Sequence, residues 1–137
     1  MTTRIVYEGA LRTGATHLRS GTVIQTDAPV DNRGRGEAFS PTDLVAAALG
    51  SCILTIMGIK ARERGLNIDH STVSVNKVMM SAPRRIQRLE VRLTVRGDGL
   101  SAADRKVLGA VTAACPVSRS LHPDIEIDVA INWEPSA

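Results

Sequence analysis

The feature that most constrains this chain is a long uncharged stretch inside a well-marked helix. Residues 40–65 read SPTDLVAAALGSCILTIMGIKARERG, and no charged residue occurs from Leu44 to Ile59. A helix with apolar or small residues on every face is expected to be buried all round. We therefore predict a central core helix on which the rest of the chain packs. Its small residues would also let a second backbone, including a second copy of the same helix, come close.

Both ends of this helix are marked in the sequence. Ser40 is a good N-cap, Pro41 suits the first helical position, and Asp43 completes a capping box. At the other end Gly65 supplies a left-handed stop after a basic last turn. A membrane span needs about 20 apolar residues, and glycine and hydroxyl side chains dilute this run. A helix in a protein core, and no membrane partner, is the prediction.

Length and composition limit the class of protein. The 137 residues are enough for one domain with a real core, and no Pro- or Gly-rich linker divides them, so we predict a single domain over 1–137. The start, MTTRIVYEG, lacks the apolar segment of a signal peptide, which predicts a cytoplasmic, reducing location. The net charge is +3, but only three residues are aromatic. Stacking surfaces for nucleic acid are therefore poorly supplied, and no nucleic-acid partner is predicted.

The residues before the helix predict a β-meander. Thr3 to Glu8 and Thr16 to Thr26 are β-rich, with turns expected near Thr13-Gly14 and Ser20-Gly21. Residues 27–37 carry Pro, Asn, Gly and charge without a period and predict a loop. Arg19, beside the second turn, has two interpretations. It is a solvated charge, which the sequence alone favours, or a cation directed at an anion or a thiolate.

Two strands are predicted after the helix. Residues 72–80 alternate with a change of parity that indicates a bulge near Asn76-Lys77. Residues 84–96 alternate cleanly, with apolar side chains on one face and mostly arginines on the other, as in a strand with one wet face. The two strands should form an antiparallel hairpin that turns at Ala82-Pro83.

The last third predicts two helices and a strand. Ser101 and Asp104 form a second capping box, which opens a helix through about Ala114. Because Pro116 prefers a first helical turn, Cys115 is the predicted N-cap of a short helix that ends near Leu121. Residues 124–133 alternate as a half-buried strand. The predicted order is βββ-α-ββ-α-α-β, an α+β fold with helices packed on antiparallel sheet.

The chemistry of the chain depends on its two cysteines. In a reducing compartment Cys52 and Cys115 are more readily free, catalytic or redox-cycling thiols than a structural crosslink. Cys115, at a helix N-terminus, is placed where a thiolate is stabilised, whereas Cys52 should be neutral unless a cation reaches it. The alternative is that both are small buried hydrophobes. Metal binding is not predicted, because the cysteines are far apart and the histidines lie singly. No cofactor motif is present.

The segments SPTDLVAAALGSC and AACPVSRSL, with this length and order of elements, resemble the OsmC/Ohr family of osmotically inducible and organic hydroperoxide resistance proteins. The resemblance covers nearly the whole chain, but the N-terminal third matches only in outline. It implies an intertwined homodimer with antiparallel sheets packed around the long central helices and an active site near the subunit interface.

The resemblance also implies roles for three residues. Cys52 would attack a peroxide and become a sulfenic acid, and Cys115 would condense with it to a disulfide. The family's active-site arginine precedes a glycine turn, where Arg19 fits best and Arg12 is the alternative. The chain departs from the pattern at Thr42, where peroxidase members carry a glutamate that orients the arginine; Asp43 lies one residue away, about 100° around the helix.

Two classes of function stay open. The first is a cysteine-based peroxidase that reduces organic hydroperoxides in an oxidative or osmotic stress response, with an external thiol or dithiol as reductant. The second is a non-enzymatic dimer that binds a small apolar molecule in its interface cavity, with the cysteines as packing residues. Disulfide reach between the two sulfurs, beside a guanidinium, would distinguish them.

Overall fold

The computed structural model describes residues 1–136. They contain the predicted order of elements. The strands are β1 (Thr3–Gly9), β2 (Arg12–His17), β3 (Val23–Asp27), β4 (Thr72–Ser81), β5 (Arg84–Arg96) and β6 (Glu126–Glu134). The α-helices are α1 (Pro41–Glu63), α2 (Ala102–Ala110) and α3 (Pro116–Ser120), and single 3-10 turns lie at Val30–Asn32 and Val111–Ala113. The α+β prediction is confirmed.

The chain divides into two compact units. The first is Met1–Val45, and the second begins at Ala46. The first unit holds β1 to β3, the following loop and the start of α1. The second unit holds the rest of α1 and all later elements. The prediction of a single domain stays a prediction.

The first unit contains an antiparallel meander in the order β1-β2-β3. The turn before β3 lies at the predicted Ser20-Gly21, where Gly21 has a φ of 76°. The predicted turn at Thr13-Gly14 is wrong, because both residues lie inside β2. The chain turns instead at Ala10 and Leu11, with φ values of 54° and 62°. These are unusual for residues with a Cβ atom, so no sequence signal marked the turn.

The start of α1, still within the first unit, is capped as predicted. The Asp43 N–H donates to Ser40 Oγ (3.1 Å), and the Ser40 N–H donates to Asp43 Oδ2 (2.9 Å). This pair of hydrogen bonds satisfies two backbone donors that a helix start otherwise leaves without partners. The helix therefore begins at Pro41, directly after the cap.

In the second unit α1 is buried on one side only. Leu49, Ile53, Met57 and Ala61 are fully or almost fully buried, at the spacing of one helical face. The opposite face is exposed; it comprises Ala47, Ala48, Ser51, Thr55 and Ile59. Burial on every face is therefore not achieved within one chain. Gly65, with a φ of 69°, ends the helix as predicted, and the Leu66 N–H donates to the carbonyl of Ala61 (2.8 Å).

By length and composition α1 could also cross a membrane. Core helices of soluble proteins meet the same criterion, so this property alone is weak evidence. Within the second unit α1 lies against β4, since a Cβ atom at Gly50 would come within 3.0 Å of Val75 and 3.2 Å of Val73. A glycine at this position lets helix and sheet pack closely.

The second sheet has the order β4-β5-β6. β4 and β5 form the predicted antiparallel hairpin, and β5 has its predicted bounds. The register shifts between Val78 and Met79, two residues later than the predicted bulge. The apolar row of β5 is buried, comprising Leu89, Val91, Leu93 and Val95. β6 pairs with β5 in parallel, which differs from the prediction of purely antiparallel sheets.

The connection between β5 and β6 explains this parallel pairing. It contains α2, the 3-10 turn at Val111–Ala113 and α3, and a parallel pair needs a long crossover of this kind. The Ser101–Asp104 capping box is present. α2 is shorter than predicted, because it ends at Ala110 and the 3-10 turn replaces its last turn.

Candidate functional site

Cys115 occupies the junction before α3. It is the N-cap of that helix, followed by Pro116 at the first helical position, as predicted. Its side chain is fully buried. The Ser118 N–H donates to Cys115 Sγ (3.2 Å), and Ser118 Oγ donates to the Cys115 carbonyl (2.9 Å). A buried sulfur that accepts a backbone N–H is placed to hold negative charge.

Cys52 lies midway along α1 and is partly exposed. Its side chain and that of Cys115 are hydrogen-bond partners, and the backbone of Val117 forms a hydrogen bond with the Cys52 sulfur. The structure thus brings together two cysteines that are far apart in the sequence. Both are free thiols in this structure.

The two thiols differ in acidity. Burial raises the pKa of Cys52 above the ordinary thiol value, and contact with Cys115 raises it further. Burial also acts to raise the pKa of Cys115, but hydrogen bonds from Ser118, Cys52 and the Val117 backbone outweigh it and lower the pKa. Within the pair, Cys115 therefore holds the negative charge more readily, and the Cys52 S–H is the donor.

This geometry permits disulfide chemistry. The side chains of Cys52 and Cys115 are neighbours, and a disulfide between them requires Cα atoms within about 7 Å. Cys52 is the member of the pair that a solute reaches first, and Cys115 is the member that backbone N–H groups stabilise as a thiolate. The roles of attacking and resolving thiol remain predictions.

Arg19 and Arg12, the two arginines considered for the site, both lie in the first unit. Arg19 is exposed in the turn between β2 and β3. Arg12 begins β2 and is held by two carboxylates: its Nη2 donates to Glu37 Oε2 (2.6 Å) and to Asp27 Oδ2 (3.3 Å). Arg12 is thus the arginine with a carboxylate partner.

Thr42 and Asp43 occupy the first turn of α1. Asp43 follows Thr42, the position where the resemblance implied an orienting glutamate, and its carboxylate accepts the Ser40 N–H in the capping box. Its place in the cap fixes it at the helix start. Asp27 and Glu37 both form ion pairs with Arg12 of the meander.

Sequence reasoning missed Val117 and Ser118. The side chain and backbone of Ser118 and the backbone of Val117, in the first turn of α3, form hydrogen bonds that lower the pKa of Cys115. The signal was Pro116, because a proline at the first helical position implies that the next N–H groups point back toward the N-cap. Among residues 1–136 no three His, Cys, Asp or Glu side chains converge as a metal site would require.

The comparisons with known proteins identify relatives. Residues 34–130 match the family model described as OsmC-like protein. A crystal structure from Psychrobacter arcticus 273-4, described as a candidate osmotic stress induced and detoxification response protein, is 47% identical. The match has a TM-score of 0.91 and covers 96% of this chain and 95% of that one. No curated protein sequence matches the chain.

Two more distant structures share the fold. An organic hydroperoxide resistance protein OsmC from Legionella pneumophila is 18% identical, with a TM-score of 0.71 over 96% of this chain and 97% of that one. The organic hydroperoxide resistance protein OhrB of Bacillus subtilis is 16% identical, with a TM-score of 0.63 over 96% and 98%. At these identities the likeness concerns the fold alone.

Proposed function

We propose a peroxidase function from one premise: this chain belongs to the family of OsmC-like proteins. The proposed activity is the thiol-dependent reduction of organic hydroperoxides as part of a stress response. The single observation that supports it best is the hydrogen-bonded pair of free thiols, Cys52 and Cys115. Relatives that carry hydroperoxide resistance in their names support the same class of substrate.

The proposed first step occurs at Cys52. Its thiolate attacks one peroxide oxygen, the O–O bond breaks, and the product alkoxide takes up a proton to leave as an alcohol. The Cys52 sulfur becomes a sulfenic acid. A Cys115 thiolate can accept the proton of Cys52 before the attack, because the two side chains share a hydrogen bond. The higher pKa of Cys52 then makes its thiolate the stronger nucleophile of the two.

The second step joins the two sulfurs. The Cys115 sulfur attacks the sulfenic acid of Cys52, a disulfide forms, and the hydroxyl leaves as water after it takes up a proton. The contact that already exists between the two side chains keeps this step intramolecular. An external thiol or dithiol then returns the two electrons. The proposed cycle uses no cofactor.

Single-cysteine variants test the proposal. We expect Cys52→Ser to abolish turnover of a bulky organic hydroperoxide, because it removes the attacking sulfur. Cys115→Ser should still allow one turnover and stop at the sulfenic acid. Stopped-flow oxidation of the reduced protein, followed by trapping of the sulfenic acid with dimedone, measures both. Cys52→Ser protein that turns over as fast as wild type would refute the proposal.

A ligand-binding role is the second candidate. A cavity of about 290 Å³ in the second unit is lined by the 3-10 turn, α3 and β6, and its walls combine Ile127 and Val129 with Arg119. Such a pocket suits a small, partly apolar molecule. This candidate is preferred if organic hydroperoxides oxidise the reduced protein no faster than a free thiol at the same pH.

A further inference from the structure

We propose that the oxidised site is reduced through Cys52: an external thiol attacks the Cys52 sulfur, and Cys115 is the leaving group. This inference rests on the proposed function, because it concerns how the disulfide of that cycle is opened again. In the reductive half of the cycle Cys52 is thus the sulfur that is attacked, and Cys115 is the sulfur that is released.

The first argument is access. Thiol–disulfide exchange requires the incoming thiolate to reach the sulfur that it attacks. Cys115 has no exposed surface, whereas Cys52 is partly exposed. Cys115 is enclosed at the start of α3, while the Cys52 side chain on α1 keeps part of its surface open. A thiol arriving from solvent therefore meets the Cys52 side of the disulfide.

The second argument is the quality of the leaving group. In exchange, the sulfur that is released departs as a thiolate, and a thiol of lower pKa departs faster. Cys115 Sγ already accepts the Ser118 N–H at 3.2 Å. Hydrogen bonds lower the pKa of Cys115, whereas burial and its partner raise that of Cys52. The thiolate of Cys115 is therefore more stable than the thiolate of Cys52 would be, and Cys115 is the better leaving group.

The reductant is a thiol or a dithiol, RSH. Its thiolate forms a new S–S bond to Cys52, and the Cys52–Cys115 bond breaks with its electron pair on Cys115. A second RS⁻ then attacks the RS sulfur of the mixed disulfide. RSSR forms, and Cys52 is released and takes up a proton. Two thiols are thus oxidised to one disulfide while the protein disulfide is reduced to two thiols.

In wild-type protein, the cysteine that becomes attached to glutathione identifies the sulfur that the reductant attacks. Diamide forms the disulfide without any peroxide, glutathione is added, and the reaction is quenched within milliseconds to seconds by N-ethylmaleimide in acid. Trypsin separates the cysteines, because cleavage after Arg35, Lys60, Lys106 and Arg119 leaves them on the peptides 36–60 and 107–119. We expect glutathione on peptide 36–60 and maleimide on peptide 107–119. Glutathione on peptide 107–119 would overturn the proposal.

A matched pair of variants supplies a second readout. Cys115→Ser leaves only Cys52, and Cys52→Ser leaves only Cys115. With 5,5′-dithiobis(2-nitrobenzoate) as probe, we expect Cys52 to release the coloured thiolate at least about tenfold faster than Cys115. Equal rates, or a faster Cys115, would contradict the argument from access.

The same experiment separates this inference from the proposed function. If diamide forms no disulfide between Cys52 and Cys115, the two-cysteine cycle fails and the inference fails with it. If the disulfide forms but glutathione is found on Cys115, the peroxidase proposal stands and only the direction of reduction is wrong.

Discussion

At the scale of single residues, Arg12 shows how neighbours determine what a side chain can do. Asp27 is fully buried, and its Oδ2 accepts both the Arg12 guanidinium and the Glu37 N–H (2.9 Å). Within residues 1–136 its other oxygen, Oδ1, has no hydrogen-bond partner. The Glu37 N–H and Arg12 lower the pKa of Asp27 against the effect of burial. Arg12 is therefore the hydrogen-bonded cation that, together with the Glu37 N–H, keeps a buried carboxylate ionised.

Arg12→Ala and Arg19→Ala should consequently have different effects. Arg12→Ala leaves Asp27 buried without its cation, and we expect the thermal midpoint to fall by roughly 5 °C or more. Arg19 is exposed in a turn, so Arg19→Ala should fold normally. If Arg19 is the active-site arginine, its removal should slow the oxidation of Cys52 about tenfold or more, since a nearby cation favours a thiolate by about 1–3 pKa units.

Calorimetry and stopped-flow oxidation, run on both variants at a temperature where each is folded, distinguish the two arginines. Glu37→Gln is the control for stability, because it removes the exposed carboxylate partner of Arg12 but keeps both Arg12 and the backbone N–H that donates to Asp27. Slower oxidation in folded Arg12→Ala, with wild-type rates in Arg19→Ala, would transfer the role to Arg12.

At the scale of elements, the sequence predicted helix starts most accurately, because capping residues and proline have narrow conformational preferences. Ser40 with Asp43, and Ser101 with Asp104, marked two helix starts, and Pro116 marked a third. Each acts through local hydrogen bonds or a fixed φ, so neighbours in the sequence suffice to identify it. The contact between Cys52 and Cys115 was not local, and the sequence indicated it only through the resemblance to a family.

The position of one turn and the direction of one strand pairing differ from the prediction, and both depend on tertiary structure. The turn at Ala10 and Leu11 has positive φ without glycine or asparagine, so composition pointed to Thr13-Gly14 instead. β6 alternates like any half-buried strand, and alternation carries no information on strand direction. Its parallel pairing with β5 follows from the crossover through α2 and α3, which only the assembled fold reveals.

One ion pair joins the end of α1 to the start of α2 and makes stability depend on pH. Arg64 donates to Asp104 Oδ1 through Nε (3.1 Å) and Nη2 (2.8 Å), while Ser101 donates to Oδ2. Hydrogen bonds from Arg64, and then from Ser101, lower the pKa of Asp104 from 3.8 to about 2. Between these values the folded state binds fewer protons than the unfolded state, so stability falls as the pH falls.

Asp104→Asn should therefore be less stable than wild type above pH 4, and the difference should shrink as the pH falls from 3.8 through about 2. Urea unfolding midpoints at pH 6, 4 and 2.5 measure this. Asp69→Asn removes the same charge at an exposed site and is the control. A gap between Asp104→Asn and wild type that stays constant over this range would exclude the linkage.

At the scale of the whole molecule, apolar surface is left uncovered in each unit. In the meander, Ile5 and Tyr7 are 60% and 65% exposed on one face, and Val6 and Val23 are 51% and 61% exposed on the other. On α1, Ile59 is 52% exposed and lies on the same face as Ala48 and Thr55. Exposed apolar side chains that share one face of an element are typical of interaction surfaces.

A second copy of the chain is the partner that we predict for the exposed face of α1. The exposed face of α1 consists of small residues flanked by Ile59, which lets an identical helix pack closely across a two-fold axis. We expect a dimer of twice the 14.6 kDa chain mass by light scattering. Ala48→Glu would place a charge on this face and should shift the protein toward monomer. Ala103→Glu, the same change at an exposed position of α2, should leave the dimer intact. A folded wild-type monomer at micromolar concentration, or equal dissociation by both variants, would mean that the exposed face of α1 is not the contact between two copies.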